Sequence, residues 1–457
     1  MREINKMSEF QTRQGKNVKN TAMGGTKYPL PPGPSGLEKW RLIREWLGSK
    51  DIVEFMGKLF QVYGPIVRVS EKRYLFCGAQ AARFVLLSDP NLIQRAPIAE
   101  DGPSTLADKD GEIHKKHKKA VMQAFHPKYL DRYIFMMNEL VEQRLKELPT
   151  RFNLMEEMRK LTLDITVYTM LGIKINTPEY DAFFSEYWHL VERGKKRAFP
   201  FQHKYKRGMQ AKENLWRLMR RIRETQEGKE KADFISALQI IAQEEKIMTE
   251  EELFGYAYML TEFGEGDVAL MITYSLASLL TRPDLMEQFQ KEHVDYSSGS
   301  LNLADINNMT FTLNLLREVE RFYPPVPFTL RYAAEDLTFM QYRIPKGSIL
   351  ISSIYETHRQ PDLFSEPNVF APSRFESPRA EHNEPFALIG FGGGHHMCVA
   401  KMFTQILASV VLHTLNRFYS FQLYGLQSVP EINYRGTAKP ALDIMIEISP
   451  LNKKEAQ

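Results

Sequence analysis

The chain is poor in cysteine and has no long apolar run, and these two absences narrow what it can be. Only Cys77 and Cys398 occur among its 457 residues. Two thiols make neither a disulfide framework nor a four-ligand structural zinc site, and a reducing, intracellular setting suits such a sequence. No stretch reaches the ~18 apolar residues that a membrane-spanning helix requires. Residues 1–27 are polar, contain glycine and show no periodicity, so they read as a disordered arm without signal peptide or transmembrane anchor. An excess of one charge is missing too: 60 Lys plus Arg stand against 56 Asp plus Glu, a net charge of +4. That balance argues against a nucleic-acid binder. The expectation is a cytoplasmic protein, taken as a monomer, with a folded part at 28–457.

What is present is mostly helical pattern. The Pro29-Leu30-Pro31-Pro32-Gly33-Pro34 segment fixes an extended entry. Residues 36–66 read as helical, followed by a hairpin at 66–69 and 74–77. Most of 80–290 is helical in pattern, broken at Asp101-Gly102-Pro103 and Asp110-Gly111. The longest periodic stretch, 250–281, opens on Thr249 with Glu252 three residues on, a capping-box spacing, and stops before Pro283. Strand-like pieces occupy 337–355, a last hairpin lies near 418–448, and a Pro-rich irregular region fills 360–390. With no repeat and no second composition regime, the prediction is one domain, mainly α with small β-sheets.

The segment Phe391-Gly392-Gly393-Gly394-His395-His396-Met397-Cys398-Val399-Ala400 is the most informative. Three successive glycines permit a tight turn that presses flat against a ligand. An apolar, helix-favouring run starts directly after Cys398, so the thiol meets the free N–H groups and positive end of a helix, which favours the thiolate. The bland alternative is a glycine turn around an inert buried cysteine. A phosphate cradle is disfavoured, because no Gly-Lys-Ser/Thr follows the glycines.

This segment resembles the haem-binding loop of cytochrome P450 enzymes, Phe-x-x-Gly-x-(Arg/His)-x-Cys-x-(Gly/Ala). Phe391, Gly394, His396, Cys398 and Ala400 occupy every marked position. The resemblance implies the cytochrome P450 fold, with haem b (iron protoporphyrin IX) and Cys398 as the iron's axial thiolate, the ligand type that favours O–O cleavage. It further implies Phe391 packed beside the thiolate, Gly392 within the cofactor-binding loop, His396 on a propionate, and Ala400 allowing the helix close to the haem. Glu318-Val319-Glu320-Arg321, before Phe322-Tyr323-Pro324-Pro325, is similar to the family's Glu-x-x-Arg, and Pro372-Ser373-Arg374-Phe375 to its Pro-x-Arg-Phe. Glu318, Arg321 and Arg374 are therefore expected as a buried structural triad, since buried charges persist only when paired. Arg331 falls at a propionate-binding arginine, and His358-Arg359 resembles the family's His-Arg after a strand. His114 and Lys118, one helical turn apart, fall where the family offers His or Trp and then Arg to the propionates. Lys in place of Arg forfeits the bidentate fork. The resemblance covers residues 29–450.

One departure stands out. The long helix of the family carries (Ala/Gly)-Gly-x-(Asp/Glu)-Thr, and the matching place here reads Phe263-Gly264-Glu265-Gly266-Asp267. Asp267 replaces the Thr and Glu265 sits one residue early, which makes these two the catalytic candidates. Two glycines within the helix predict a local opening over the haem. Asp267 is open to several readings: a proton relay with a raised pKa, a partner for a cationic substrate group, a sign of peroxide use or another non-standard reaction, or a structural residue. Substrate-facing candidates are Leu260, Phe263, Gly264, Val268, Val326 and Phe328, mostly apolar, which suits a small hydrophobic organic substrate. The resemblance implies a monooxygenase that uses O2 and electrons from a ferredoxin or flavodoxin. A peroxide-driven peroxygenase or a rearrangement enzyme is the alternative, and a non-catalytic haem sensor a third. Lys115, Lys116, Lys118 and Lys119 are candidate docking residues for an acidic electron carrier. A basic stretch at 193–207 corresponds to the family's lid.

Overall fold

Thr249 and Glu252 close the capping box that their spacing predicts. The Thr249 hydroxyl accepts the Glu252 N–H at 3.2 Å, and a Glu252 carboxylate oxygen accepts the Thr249 N–H at 2.9 Å. They start a 32-residue helix, Glu250–Thr281, which runs unbroken to the stop at Pro283. The opening expected at Gly264 and Gly266 does not occur, because the helix is held along its length by its neighbours. Its most extensive partner is the helix Leu154–Leu171, and both bury most of their side chains in one shared core. The helices Pro127–Leu145 and Lys401–Phe418 contribute to that core as well.

The computed structural model describes residues 28–36, 38, 44, 52–95, 105, 106, 109–193, 202–225, 233–296, 299–435 and 437–451. The 1–27 arm, most of the 96–108 loop and the centre of the basic 193–207 stretch lie outside the described residues. A five-stranded sheet stands beside the helices in the order Ile66–Ser70, Arg73–Phe76, Ile349–Ser353, Phe328–Ala333, Ile93–Arg95. Its hairpin, Ile66–Ser70 with Arg73–Phe76, is the one read from sequence, whereas Phe328–Ala333 and Ile93–Arg95 are strands that the sequence pattern did not single out. In the second sheet, Met445–Pro450 pairs with both Tyr419–Tyr424 and Arg151–Asn153. Among the described residues no helix is long and apolar enough to cross a membrane.

Candidate functional site

The cysteine loop is held by its own backbone. The Cys398 N–H donates to the Phe391 carbonyl at 2.9 Å, and the Gly392 N–H to the Ile389 carbonyl at 2.8 Å. Gly392 and Gly394 take φ of 74° and 61°, a region that only glycine adopts freely. Gly393 and Gly394 are also packed closely on protein. A Cβ on Gly393 would meet Phe386 at 2.9 Å, and one on Gly394 would lie 2.1 Å from the Leu86 carbonyl oxygen. They let the loop lie directly on the helix Ala79–Leu87.

The helix after the loop begins at Lys401, with Ala400 as its N-cap, so Cys398 stands off its first turn. Cys398 keeps exposed surface, yet is withdrawn enough from water for its charged form to be disfavoured. Burial pushes its thiol up, and the Ala400 N–H and the charges of Lys118 and Lys401 oppose this only in part, while Asp267 adds to the rise. The expected lowering by the helix end is thus outweighed by desolvation. Phe391 is partly buried against the core, with the Lys401 ammonium 5.3 Å from its ring.

Beside the loop, basic side chains from separate elements converge. His114, on the helix Gly111–Ala124, is 5% exposed and its ring lies 4.0 Å from that of His396. His396 Nε2 meets Asp110 Oδ1 at 2.7 Å, and the Arg95 N–H donates to the other Asp110 oxygen at 2.9 Å. Lys118 reaches the loop itself, donating to the His395 carbonyl at 2.6 Å. Arg331, 3% exposed, stands opposite Arg95 in the sheet and spends its hydrogen bonds on Thr329 Oγ1 and the Leu330 carbonyl. Burial lowers Arg331 to about 10, Lys118 to about 8 and His114 to about 3. Among the described residues the acid bonded into this cluster is Asp110, whose hydrogen bonds from His396 and Arg95 outweigh burial and hold its pKa down. The cluster is short of negative charge, and a cofactor bringing carboxylates to this edge would supply what it lacks.

Behind the loop, the three triad residues do meet, all with fully buried side chains. Arg321 makes a fork to Glu318 at 2.8 and 2.7 Å, and Arg374 Nε donates to the same carboxylate at 3.1 Å. Glu381, which the sequence did not flag, takes another Arg374 N–H at 2.7 Å. His358 ties this layer to the loop: its Nδ1 lies 3.1 Å from the Arg321 carbonyl and its Nε2 accepts the Ile389 N–H at 2.9 Å.

On the long helix the two catalytic candidates separate. Glu265 is buried and points to the helix Leu154–Leu171, its Oε1 2.5 Å from Arg159 Nε, while its carbonyl accepts from Thr162. Gly264 faces the same way, with space for a Cβ blocked by Thr166 at 2.7 Å. Glu265 and Gly264 are therefore helix-packing residues, which corrects their expected catalytic and substrate-facing placement. Val268, 3% exposed, also belongs to the core. Asp267 and Phe263 lie on another face, one turn apart; Phe263 is 59% exposed, and the charge of Asp267 is felt at Cys398. Leu260 is partly buried against the core, Val326 is 41% exposed, and Phe328 packs partly on the cluster around Met56.

A thiol loop lying on the helix Ala79–Leu87 and feeling the charge of Asp267 on the long helix, with a basic edge and a buried Glu–Arg–Arg layer behind, defines a haem-thiolate type of architecture. The family model described as "Cytochrome P450" matches residues 31–448, so the chain belongs to the cytochrome P450 family and is a monooxygenase-class oxidoreductase with a haem-iron cofactor. Cytochrome P450 26B1 of Mus musculus is 27% identical over 428 residues, covering 86% of this chain and 82% of that one. A putative cytochrome P450 120 of Synechocystis is 27% identical over 394 residues, 83% of this chain and 87% of the relative. Abscisic acid 8'-hydroxylase 1 of Arabidopsis thaliana is 24% identical over 429 residues, 89% of each. Among solved structures, a retinoic acid-bound cyanobacterial CYP120A1 superposes with a TM-score of 0.76 at 24% identity, covering 93% of this chain and all of that one, a likeness of fold.

Proposed function

We propose that this enzyme inserts one atom of O2 into a C–H bond of a hydrophobic organic substrate, the other leaving as water with two protons and two electrons from a ferredoxin or flavodoxin. The observation that carries the reading is the convergence of Cys398 with a basic edge in which Asp110 is the bonded acid among the described residues. The residues present fit haem b: Cys398 would be its axial thiolate, since metal ligation displaces the thiol proton. His114, Lys118, Arg331 and His396 would bind the propionates, with Phe391, Gly392 and Ala400 lining the thiolate side. When bound, the haem supplies activation of oxygen at iron. Leu260, Phe263, Val326 and Phe328 would hold the apolar part of the substrate and keep water from it. Exposed Lys115, Lys116 and Lys119 would steer an acidic electron carrier. We place this activity in a cytoplasmic monomer.

A second reading, peroxide-driven turnover or rearrangement of an oxygenated substrate, is favoured by Asp267 standing where the family carries a hydroxyl. Product formation with a ferredoxin–reductase pair, compared with hydrogen peroxide alone, decides between them. Turnover only with peroxide overturns the first reading.

A further inference from the structure

We propose that the substrate carries a positive charge, a protonated amine or quaternary ammonium, held between the Asp267 carboxylate and the Phe263 ring. The proposal rests on the monooxygenase reading above and names the chemical class of its substrate.

Asp267 is the observation that demands a partner. It is only partly exposed, its charge acts on Cys398, and among the described residues no side chain or backbone group bonds to its carboxylate. Among the described residues the charge that acts on it is a second carboxylate, Glu265. The arginine that neutralises this stretch of helix, Arg159, is taken by Glu265 at 2.5 Å. The bases of the cofactor edge are committed elsewhere: Lys118 to the loop, His396 to Asp110, Arg331 to its own strand. A carboxylate withdrawn from water with no cation and no donor is costly, and a cationic group on the substrate would supply the counter-charge that the described residues do not. Desolvation raises Asp267 to about 6, which leaves it mostly ionised at neutral pH.

Phe263 is the second, independent observation. It is a phenyl ring 59% exposed on a helix whose other large side chains are mainly buried. It lies one turn before Asp267 on the same face. An open aromatic face next to a carboxylate is the combination that recognises ammonium groups, because the ring quadrupole and the full charge attract the same cation. A purely hydrophobic substrate would satisfy Phe263 and leave Asp267 unpaired; a cationic one satisfies both.

The test uses haem-loaded enzyme and three probes of one chain length: decyltrimethylammonium, 1-decanol and decanoate, each below its micelle concentration. A quaternary nitrogen has no lone pair, so it cannot ligate iron. Dissociation constants are measured by equilibrium dialysis. The wild type is expected to bind the ammonium at least about tenfold tighter than the alcohol, with decanoate weakest. Asp267→Asn removes this advantage and leaves the alcohol's affinity within about twofold, and Phe263→Leu reduces the advantage part-way. Haem content and thermal midpoint establish that each variant is folded. A wild type without preference for the ammonium, or a preference that survives in Asp267→Asn, overturns the proposal. Failure of the monooxygenase reading shows separately, as absent turnover with both electron and peroxide supply while the Asp267-dependent preference persists.

Discussion

The carbonyl oxygen of Leu86 occupies the place where a side chain on Gly394 would begin, 2.1 Å from the Cβ position. Gly394 also has a φ of 61°. Gly394→Ala therefore forces the cysteine loop off the helix Ala79–Leu87 and strains the backbone by about 1–3 kcal/mol. Gly266 meets nothing within 4 Å and lies inside a continuous helix, so Gly266→Ala should be neutral or stabilise by up to about 1 kcal/mol. Thermal unfolding and bound-haem content of the two variants check the contrast. Equal behaviour would contradict the packing role given to the loop glycines.

Glu318 is the only acid that Arg321 and Arg374 share inside the triad, and it also accepts the Ala371 N–H at 2.7 Å. Glu318→Ala leaves one buried guanidinium without a carboxylate and the other with Glu381 alone. The expected loss is about 3–5 kcal/mol, seen as a large fall in the denaturant midpoint or failure to accumulate as folded protein. Stability within about 1 kcal/mol of the parent would show that the layer is not a stabilising element.

A buried relay far from the cysteine loop sets a pH dependence. Thr312 Oγ1 donates to Glu292 at 2.6 Å, so it accepts from His293 Nε2 at 2.9 Å. His293 Nδ1 is then the acceptor of His413 Nδ1–H at 2.8 Å, and both rings are neutral. Burial lowers His293 to about 3 and His413 to about 4. The unfolded chain takes up protons near pH 6.5 that the folded one refuses, so the contribution is complete above 6.5. It is lost as pH falls from 6.5 toward 4, by at most about 1.4 kcal/mol per pH unit for each withheld proton. Unfolding curves across that window should flatten in His293→Leu/His413→Leu. An unchanged slope would assign the acid sensitivity elsewhere.

What was legible in the sequence was what lies close together along it. The Thr249–Glu252 cap, the Pro283 stop and the glycine–cysteine loop are local patterns, and each appears where its spacing puts it. The pairing of Glu265 with Arg159, 106 positions away, has no local signature; only the packing of two helices decides which acid faces inward. The same holds for Gly264, whose role is set by Thr166 across the helix contact. Ile93–Arg95 is too short to show alternation and owes its existence to pairing with Phe328–Ala333. Glu381 is placed by the irregular Pro-rich region, where no periodicity exists to read.

Whether Cys398 is the thiolate ligand is decided by the reduced carbon monoxide spectrum of the wild type and of Cys398→Ser. A thiolate-type band in the wild type and its loss in Cys398→Ser are expected, with unchanged far-ultraviolet circular dichroism. The other thiol is a poor substitute: Cys77 is 4% exposed, accepts an N–H from Gln360 at 3.1 Å, and is pushed up to about 12 by burial. A thiolate band that persists in Cys398→Ser, or is absent from the wild type with haem bound, would contradict the assignment.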